Sequence, residues 1–463
     1  MTLIKSISGV RGIIYDDDLS GLSSIEVVTC VRQFSFWLSL ITKQENLRIA
    51  VGRDGRITGK KITTLVIDTF IDFGFDVVNL DLTTTPSVQL AILTENCSGG
   101  IMISASHNPA NWNGLKLLNS KGEFLSRKEG LQVFGYQDFD LSKQKHKKNG
   151  SVINLDYKSK HITSILNLED VNVQKIRSRK FKIVIDGINS SGGIFIPDLL
   201  KKLGVDVIEL NCVPNGHFSH NPEPLPENLI DLCNKVKEHQ ADLGIAVDPD
   251  VDRLVLVSED GSCFGEEYTL VAIAKYILSK YPDRSVVSNL STTQAVHDIS
   301  NLFGNMHFES AVGEINVVEL MKEKNAIIGG EGSGGVIFPS SHYGRDALVG
   351  IALFLSYLSD LNCSVKELRL ALPTYFMLKE KIPVSEHFNF QNYIANQIKN
   401  YQLINQKFNL VDGLKVYYSC GSWSHLRVSN TEPVIRLIVE SSDQIRANEI
   451  KKDIISSINN YLK

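Results

Sequence analysis

Apolar residues along this chain recur in two rhythms that alternate with one another. Short β-branched runs read as strands at Leu47–Val51, Val77–Leu82, Ile101–Ile103, Phe181–Ile185, Leu243–Val247, Ser285–Asn289 and Ala326–Ile328. Between them lie stretches with helical spacing. Ile25–Ile41 places Val27, Val28, Val31, Phe34, Leu38 and Ile41 on one face, Lys60–Phe73 reads as a second helix, and another runs through Leu203. Strands alternating with helices predict an α/β protein. The polar, glycine-rich segments follow the C-terminal ends of the apolar strands, which is where open α/β sheets bind ligands. The pattern starts afresh near Phe181 and again near Ser285, so we expect three successive α/β blocks. Ser142–Gly150 is polar and lysine-rich and reads as a linker or solvated loop. From about Pro373 the chain has fewer glycines and ends in an amphipathic run, Ala447–Leu462, which predicts a smaller α+β closing domain.

A length of 463 residues agrees with several domains rather than one core. Lys and Arg total 48 against 52 Asp and Glu, a net charge of −4, so no bulk field attracts nucleic acid or an anionic membrane. Phosphate chemistry would then depend on local clusters, with a small molecule as the partner. Seven cysteines without a CxxC pair argue against a disulfide framework or zinc site and suit a reducing cytoplasm. Met1–Ile14 lacks an apolar signal-type core, and Ile25–Ile41 is interrupted by Arg32 and Gln33; the expectation is a soluble cytoplasmic protein.

Four segments carry candidate chemistry. Asp248-Pro249-Asp250-Val251-Asp252-Arg253 directly follows an apolar strand. Like charges at contact repel by about 1 kcal/mol per pair in water and more in a drier site, so gathering three carboxylates at a strand end calls for a cation. Alternate residues of an extended backbone would point the same way, and hard all-oxygen ligation suits Mg²⁺. Ser104-Ala105-Ser106-His107-Asn108-Pro109 offers a serine with a neighbouring base, although His107 could equally cap a helix. In Gly330-Glu331-Gly332-Ser333-Gly334-Gly335, glycines admit a ligand to the backbone while Glu331 and Ser333 offer partners for sugar hydroxyls; a plain turn fits as well. Arg427-Val428-Ser429-Asn430-Thr431-Glu432-Pro433-Val434-Ile435-Arg436 brackets hydroxyls and turn N–H groups with two guanidinium forks, the chemistry of a phosphate grip or of a polar surface loop.

Together and in this order, from Ser8-Gly9-Val10-Arg11-Gly12 to Arg436, these segments resemble the α-D-phosphohexomutase superfamily over essentially the whole chain. The resemblance implies three related α/β domains with mixed sheets and a smaller α+β C-terminal domain around a central cleft. Their expected spans are 1–150 for the phosphoserine, 151–255 for the metal, 256–370 for the sugar and 371–463 for the phosphate. It implies that Ser106 is the phosphoserine and that Mg²⁺ is held by Asp248, Asp250, Asp252 and the phosphate on Ser106. Arg11, His107, Lys116 and Arg253 fall at positions that assist catalysis. Glu331 and Ser333 fall at sugar-reading positions, and Arg427, Ser429, Asn430, Thr431 and Arg436 in the phosphate loop. The implied activity moves phosphate between C1 and C6 of a hexose, with a hexose 1,6-bisphosphate as intermediate and activator. Ser104-Ala105 before the serine is most similar to bacterial phosphoglucosamine mutases; a mannose or glucose phosphate is the alternative substrate, and a Mg²⁺-dependent sugar phosphatase the more distant one. Two departures stand out: Gly335 occupies a position where histidine is common, and Val312-Gly313-Glu314-Ile315-Asn316 lacks a basic residue often present there.

Overall fold

The computed structural model describes residues 3–15, 17–42, 47–135, 150–384, 388–418, 421–428 and 434–461. Its backbone divides into two compact units, Met1–Thr269 with Ser333–Leu368, and Leu270–Gly332 with Arg369–Lys463.

The first unit holds two sheets. In the larger, seven strands run in the order Leu3–Ser6, Gly9–Ile13, Trp112–Leu118, Gly99–Ile103, Arg48–Arg53, Asp76–Leu82, Val152–Asn154. The last four are parallel, and Trp112–Leu118 joins them antiparallel, so the sheet is mixed. The smaller sheet runs Leu254–Ser258, Leu243–Val247, Lys182–Asp186, Asp206–Leu210, with only Leu254–Ser258 antiparallel. Helix Ser24–Ile41 is the one described helix long and apolar enough to cross a membrane, yet Val27, Val31, Phe34 and Leu38 of its predicted apolar face lie in the core of this unit, while Val28 is half-buried and Ile41, at the helix end, is exposed. Helix Ala347–Leu361 is buried almost all round and starts at Asp346, whose carboxylate accepts the N–H groups of Leu348 and Val349.

In the second unit, strands Met306–Ser310, Ser285–Asn289 and Ile328–Glu331 are parallel. A five-stranded antiparallel sheet follows in the order Phe376–Pro383, Val434–Ser441, Trp423–Val428, Leu414–Tyr417, Phe408–Asn409, packed by helices Phe390–Leu403 and Gln444–Tyr461. The α/β reading with an α+β ending therefore holds. One strand is corrected: the run expected at Ala326–Ile328 extends over Ile328–Glu331. Gly329 permits this, because a Cβ there would lie 2.4 Å from Met321 Sδ on the covering helix. Glu331 thus sits on the strand end, and the turn begins after it. The Ser142–Gly150 segment lies, apart from Gly150, outside the described residues.

Candidate active site

Two strand ends of the first unit, with neighbouring segments, build a charged cluster. Strand Gly99–Ile103 delivers Ser106, which takes a left-handed backbone (φ 48°) and is 6% exposed. Its Oγ donates to Asp248 Oδ2 at 2.5 Å and lies 3.4 Å from His107 Nδ1. Strand Leu243–Val247 delivers Asp248, Asp250 and Asp252, all fully buried, with one oxygen of each within 4.8 Å of the others. They converge by a route other than extended alternation. Val251 N–H closes a turn on the Asp248 carbonyl at 3.0 Å, and Val251 adopts φ 65°. A β-branched residue with positive φ is strained and persists only where its surroundings hold it. Here the Thr85 N–H grips the Asp250 carbonyl and the Ala347 N–H grips the Val251 carbonyl, at 3.0 and 3.2 Å.

The cations come from strands and from the loops beside them. Lys116, on strand Trp112–Leu118, donates to Asp250 Oδ2 at 2.5 Å and Asp252 Oδ2 at 3.2 Å. Arg345 Nη2 donates to Asp252 Oδ2 at 2.7 Å, and Arg253 Nε lies 4.0 Å from Asp252 Oδ1. Thr85 Oγ1 also donates to Asp250 Oδ2. Arg11 reaches Asn108 Oδ1 at 3.2 Å, beside the serine turn.

Asp248 and Asp252 are shifted in opposite directions. Burial, then the charges of Asp252 and Asp250, push Asp248 well above the usual carboxylate range. Burial alone would raise Asp252, but Arg345, Lys116 and Arg253 outweigh it and hold that carboxyl far below. Burial works against the Lys116 ammonium, yet Asp250, Asp252 and Asp248 together keep it protonated above the ordinary lysine range. Burial, followed by Arg253 and Arg11, pushes His107 down to about 2, leaving a neutral imidazole. Asp250 Oδ1 and Asp252 Oδ1 are buried without a hydrogen-bond partner among the described residues. Such oxygens are costly unless they ligate, so the donor set suits a hard dication such as Mg²⁺.

Sequence reasoning overlooked the support beneath Ser106. Arg56 is fully buried, and its five N–H donors are all engaged. Nη2 holds the Ser106 and Asn108 carbonyls at 2.6 and 2.7 Å, Nη1 those of Pro109 and Trp112 at 2.6 and 2.9 Å, and Nε meets Asp54 Oδ2 at 3.1 Å. Asp54 Oδ2 accepts from Ser104 Oγ at 2.7 Å, which in turn accepts the Ser106 N–H at 2.8 Å. The available signal was Gly52-Arg53-Asp54-Gly55-Arg56, a charged run at a strand end next to an apolar core. Arg345 was overlooked as well, and its signal was Gly335. A Cβ at 335 would lie 2.3 Å from Arg345 Cδ, so glycine there makes room for the arginine stem. Ser333 lies half-buried in the turn between Glu331 and this glycine.

The second unit carries the remaining groups. Glu331 Oε1 accepts from Asn289 Nδ2 at 2.8 Å and from the Gly313 N–H at 3.0 Å. Arg427 and Arg436 are directly opposed across antiparallel strands, which places both side chains on one face of the sheet. The Nε atoms of both are buried without a hydrogen-bond partner among the described residues, a pair of forks suited to an anion. Ser429, Asn430 and Thr431 lie outside the described residues.

Comparison with known proteins identifies the family. Sequence profiles of the phosphoglucomutase/phosphomannomutase family match four successive stretches: alpha/beta/alpha domains I, II and III at residues 6–134, 159–261 and 265–376, and the C-terminal domain at 387–457. The chain is 32% identical over 408 residues to a phosphoglucomutase/phosphomannomutase of Thermococcus kodakarensis, covering 88% of each chain. It is 27% identical to a phosphoglucosamine/phosphogalactosamine mutase of Sulfurisphaera tokodaii, covering 89% of this chain and 91% of the other. A crystal structure of a phosphoglucomutase/phosphomannomutase family protein from Burkholderia thailandensis superposes with a TM-score of 0.85 at 24% identity, covering 99% of this chain and 98% of that one. The chain therefore belongs to the phosphoglucomutase/phosphomannomutase family and is a phosphohexomutase, an isomerase that works as an intramolecular phosphotransferase.

Proposed function

We propose that the protein interconverts glucosamine 6-phosphate and glucosamine 1-phosphate through a phosphorylated Ser106 and a bisphosphorylated sugar. The observation that carries this reading is the position of Ser106 Oγ, 2.5 Å from Asp248 in a cluster where carboxylates and cations converge. Asp248, Asp250 and Asp252, with the phosphate on Ser106, would hold Mg²⁺, which supplies charge neutralisation to the transferring phosphoryl oxygens.

The substrate's existing phosphate is gripped by Arg427 and Arg436 with the Ser429-Asn430-Thr431 segment, while Glu331 and Ser333 read sugar hydroxyls. The free hydroxyl attacks phosphorus in line, the bond from phosphorus to Ser106 Oγ breaks, and the hydroxyl's proton passes to a nearby base. Lys116 or His107 moves this proton, and the same group returns it in the reverse sense. Arg11 and Arg253 balance the developing charge. The bisphosphorylated sugar then turns over and gives its other phosphate back to Ser106. A hexose 1,6-bisphosphate primes the unphosphorylated serine. The glucosamine assignment is supported by Ser104-Ala105 and by the name of the Sulfurisphaera relative, and the dispersed cysteines, free among the described residues, suit work in the cytoplasm. The Thermococcus relative's name supports glucose or mannose phosphate as the second reading.

The test is 1-/6-phosphate exchange on glucosamine, mannose and glucose phosphates, assayed separately with Mg²⁺ and a trace of bisphosphate while free phosphate is monitored. Fast exchange confined to glucosamine phosphate is expected. Exchange on mannose or glucose phosphate moves the assignment to the second reading, and free phosphate without exchange replaces the mutase cycle by hydrolysis.

A further inference from the structure

Within the second unit, the phosphate grip and the sugar reader lie on different sheets, and one side chain links them. Asp412 stands in the turn before strand Leu414–Tyr417. Its Oδ2 accepts the Val312 N–H at 3.1 Å and lies 3.5 Å from Arg427 Nε. The next N–H along the chain, that of Gly313, holds Glu331 Oε1 at 3.0 Å. Gly313 has φ 117°, a conformation natural only to glycine, and it opens the helix Glu314–Glu323. Two consecutive N–H groups therefore serve two different carboxylates: one beside the arginine pair, the other at the sugar-reading position. Asp412 is itself fixed, because its carbonyl accepts from His425 Nε2 at 2.5 Å while His425 Nδ1 meets Ser291 Oγ at 2.9 Å.

We infer that Asp412 is a positioning residue that couples Arg427 to Glu331 through the Val312-Gly313 backbone, setting the spacing at which one hexose phosphate engages both. This rests on the mutase reading, which gives Arg427 the phosphate and Glu331 the sugar. The coupling makes a definite demand. Asp412 is an anion next to a phosphate site, so its charge opposes binding of phosphate alone. Its benefit must appear in the extra affinity gained when sugar and phosphate belong to one molecule.

The test measures dissociation constants for inorganic phosphate and for glucosamine 6-phosphate by calorimetry in EDTA, where no turnover occurs, on the full-length protein. The ratio of the two constants reports the coupling. Asp412→Asn keeps an acceptor for Val312 but loses the charge facing Arg427, whereas Asp412→Ala loses both. The ratio is expected to fall about threefold in Asp412→Asn and about tenfold in Asp412→Ala, within the range of measured couplings between neighbouring groups. Phosphate alone should bind both variants as well as wild type or better. A wild-type ratio preserved in Asp412→Ala overturns the inference, as does parallel weakening of both probes with a lowered melting temperature, the mark of a merely structural role. A ratio near one in the wild type would count against the mutase reading itself, and the coupling would fall with it; a high wild-type ratio untouched by Asp412→Ala counts against the coupling alone.

Discussion

Arg345 reaches Asp252 across the space that Gly335 leaves, with Nη2 2.7 Å from Asp252 Oδ2. The contact occupies one oxygen of the carboxylate and leaves Oδ1 without a hydrogen-bond partner among the described residues. Charge-assisted hydrogen bonds of this kind contribute about 1.5–3 kcal/mol, or roughly 10- to 150-fold in a rate or binding constant. Arg345→Met should lower kcat/KM by about 10- to 100-fold and raise the Mg²⁺ concentration for half activity, with Arg345→Lys recovering part of the loss. Steady-state rates over a Mg²⁺ series decide it, and an unchanged Mg²⁺ dependence in Arg345→Met would remove Arg345 from the site.

Gly335→Ala tests the same relationship from the other side. The added methyl would sit 2.3 Å from Arg345 Cδ and 3.1 Å from Cγ, so the arginine must move. Overpacking of this kind costs about 1–3 kcal/mol. The variant should reproduce much of the Arg345→Met defect, and the two changes combined should be little worse than Arg345→Met alone. Additive losses would show that Gly335 serves another purpose.

Asp250 has one oxygen bonded by Thr85 and Lys116 and the other buried without a hydrogen-bond partner among the described residues. Asp250→Asn keeps the shape and removes the charge. Activity should fall by more than about a hundredfold, beyond the range seen when only the support of a metal ligand is lost. Calorimetric titration with Mg²⁺ should show weaker binding at the same time. Wild-type rates with an unchanged Mg²⁺ requirement would place the metal elsewhere.

Arg56 does for the serine turn what the turn cannot do for itself, holding the Ser106, Asn108, Pro109 and Trp112 carbonyls in a fully buried place. Arg56→Lys retains the charge but cannot reproduce a fork with five donors. Breaking a buried charged network costs about 3–5 kcal/mol. We expect a clear drop in melting temperature together with lost exchange activity. A variant that melts like wild type but does not turn over would make Arg56 part of the chemistry rather than of the support.

These residues also show what was legible in the chain. Ser106 and the three aspartates were readable because each sits in a short run at a strand end, where local order reveals shared purpose. The shape of the aspartate loop was not, since it depends on the strained Val251 and on the Thr85 and Ala347 N–H groups from distant segments. Arg56, Arg345 and Asp412 act across 50, 93 and 100 positions of chain on Ser106, Asp252 and Val312, and no local periodicity encodes such meetings. The missing histidine at 335 was visible as a departure, but its reason lay ten residues on, in Arg345. The opposition of Arg427 and Arg436 follows from strand register, which the sequence suggests only through two apolar runs flanking a polar turn.

His425 gives the second unit a pH dependence whose sign can be worked out. The ring is fully buried; Nε2–H donates to the Asp412 carbonyl, and Nδ1 accepts from Ser291 Oγ. Burial pushes its pKa down, Lys415 and Arg427 add to the effect, and these outweigh the opposing pull of the Asp412 carbonyl and carboxylate, leaving it at about 4 against an ordinary 6.5. Between those values the unfolded chain binds a proton that the folded chain refuses. Stability therefore rises with pH through this window: the penalty is absent above 6.5, grows as pH falls, and stops growing below 4. The slope from this one group is at most about 1.4 kcal/mol per pH unit. His425→Gln removes the titration while keeping a polar side chain of similar reach. Melting temperatures taken from pH 8.5 to pH 4 should fall less steeply with acidification in His425→Gln than in wild type, with the two curves parallel above pH 7. Identical curves down to pH 4 would mean that the folded protein accepts the proton, and that burial does not control this ring.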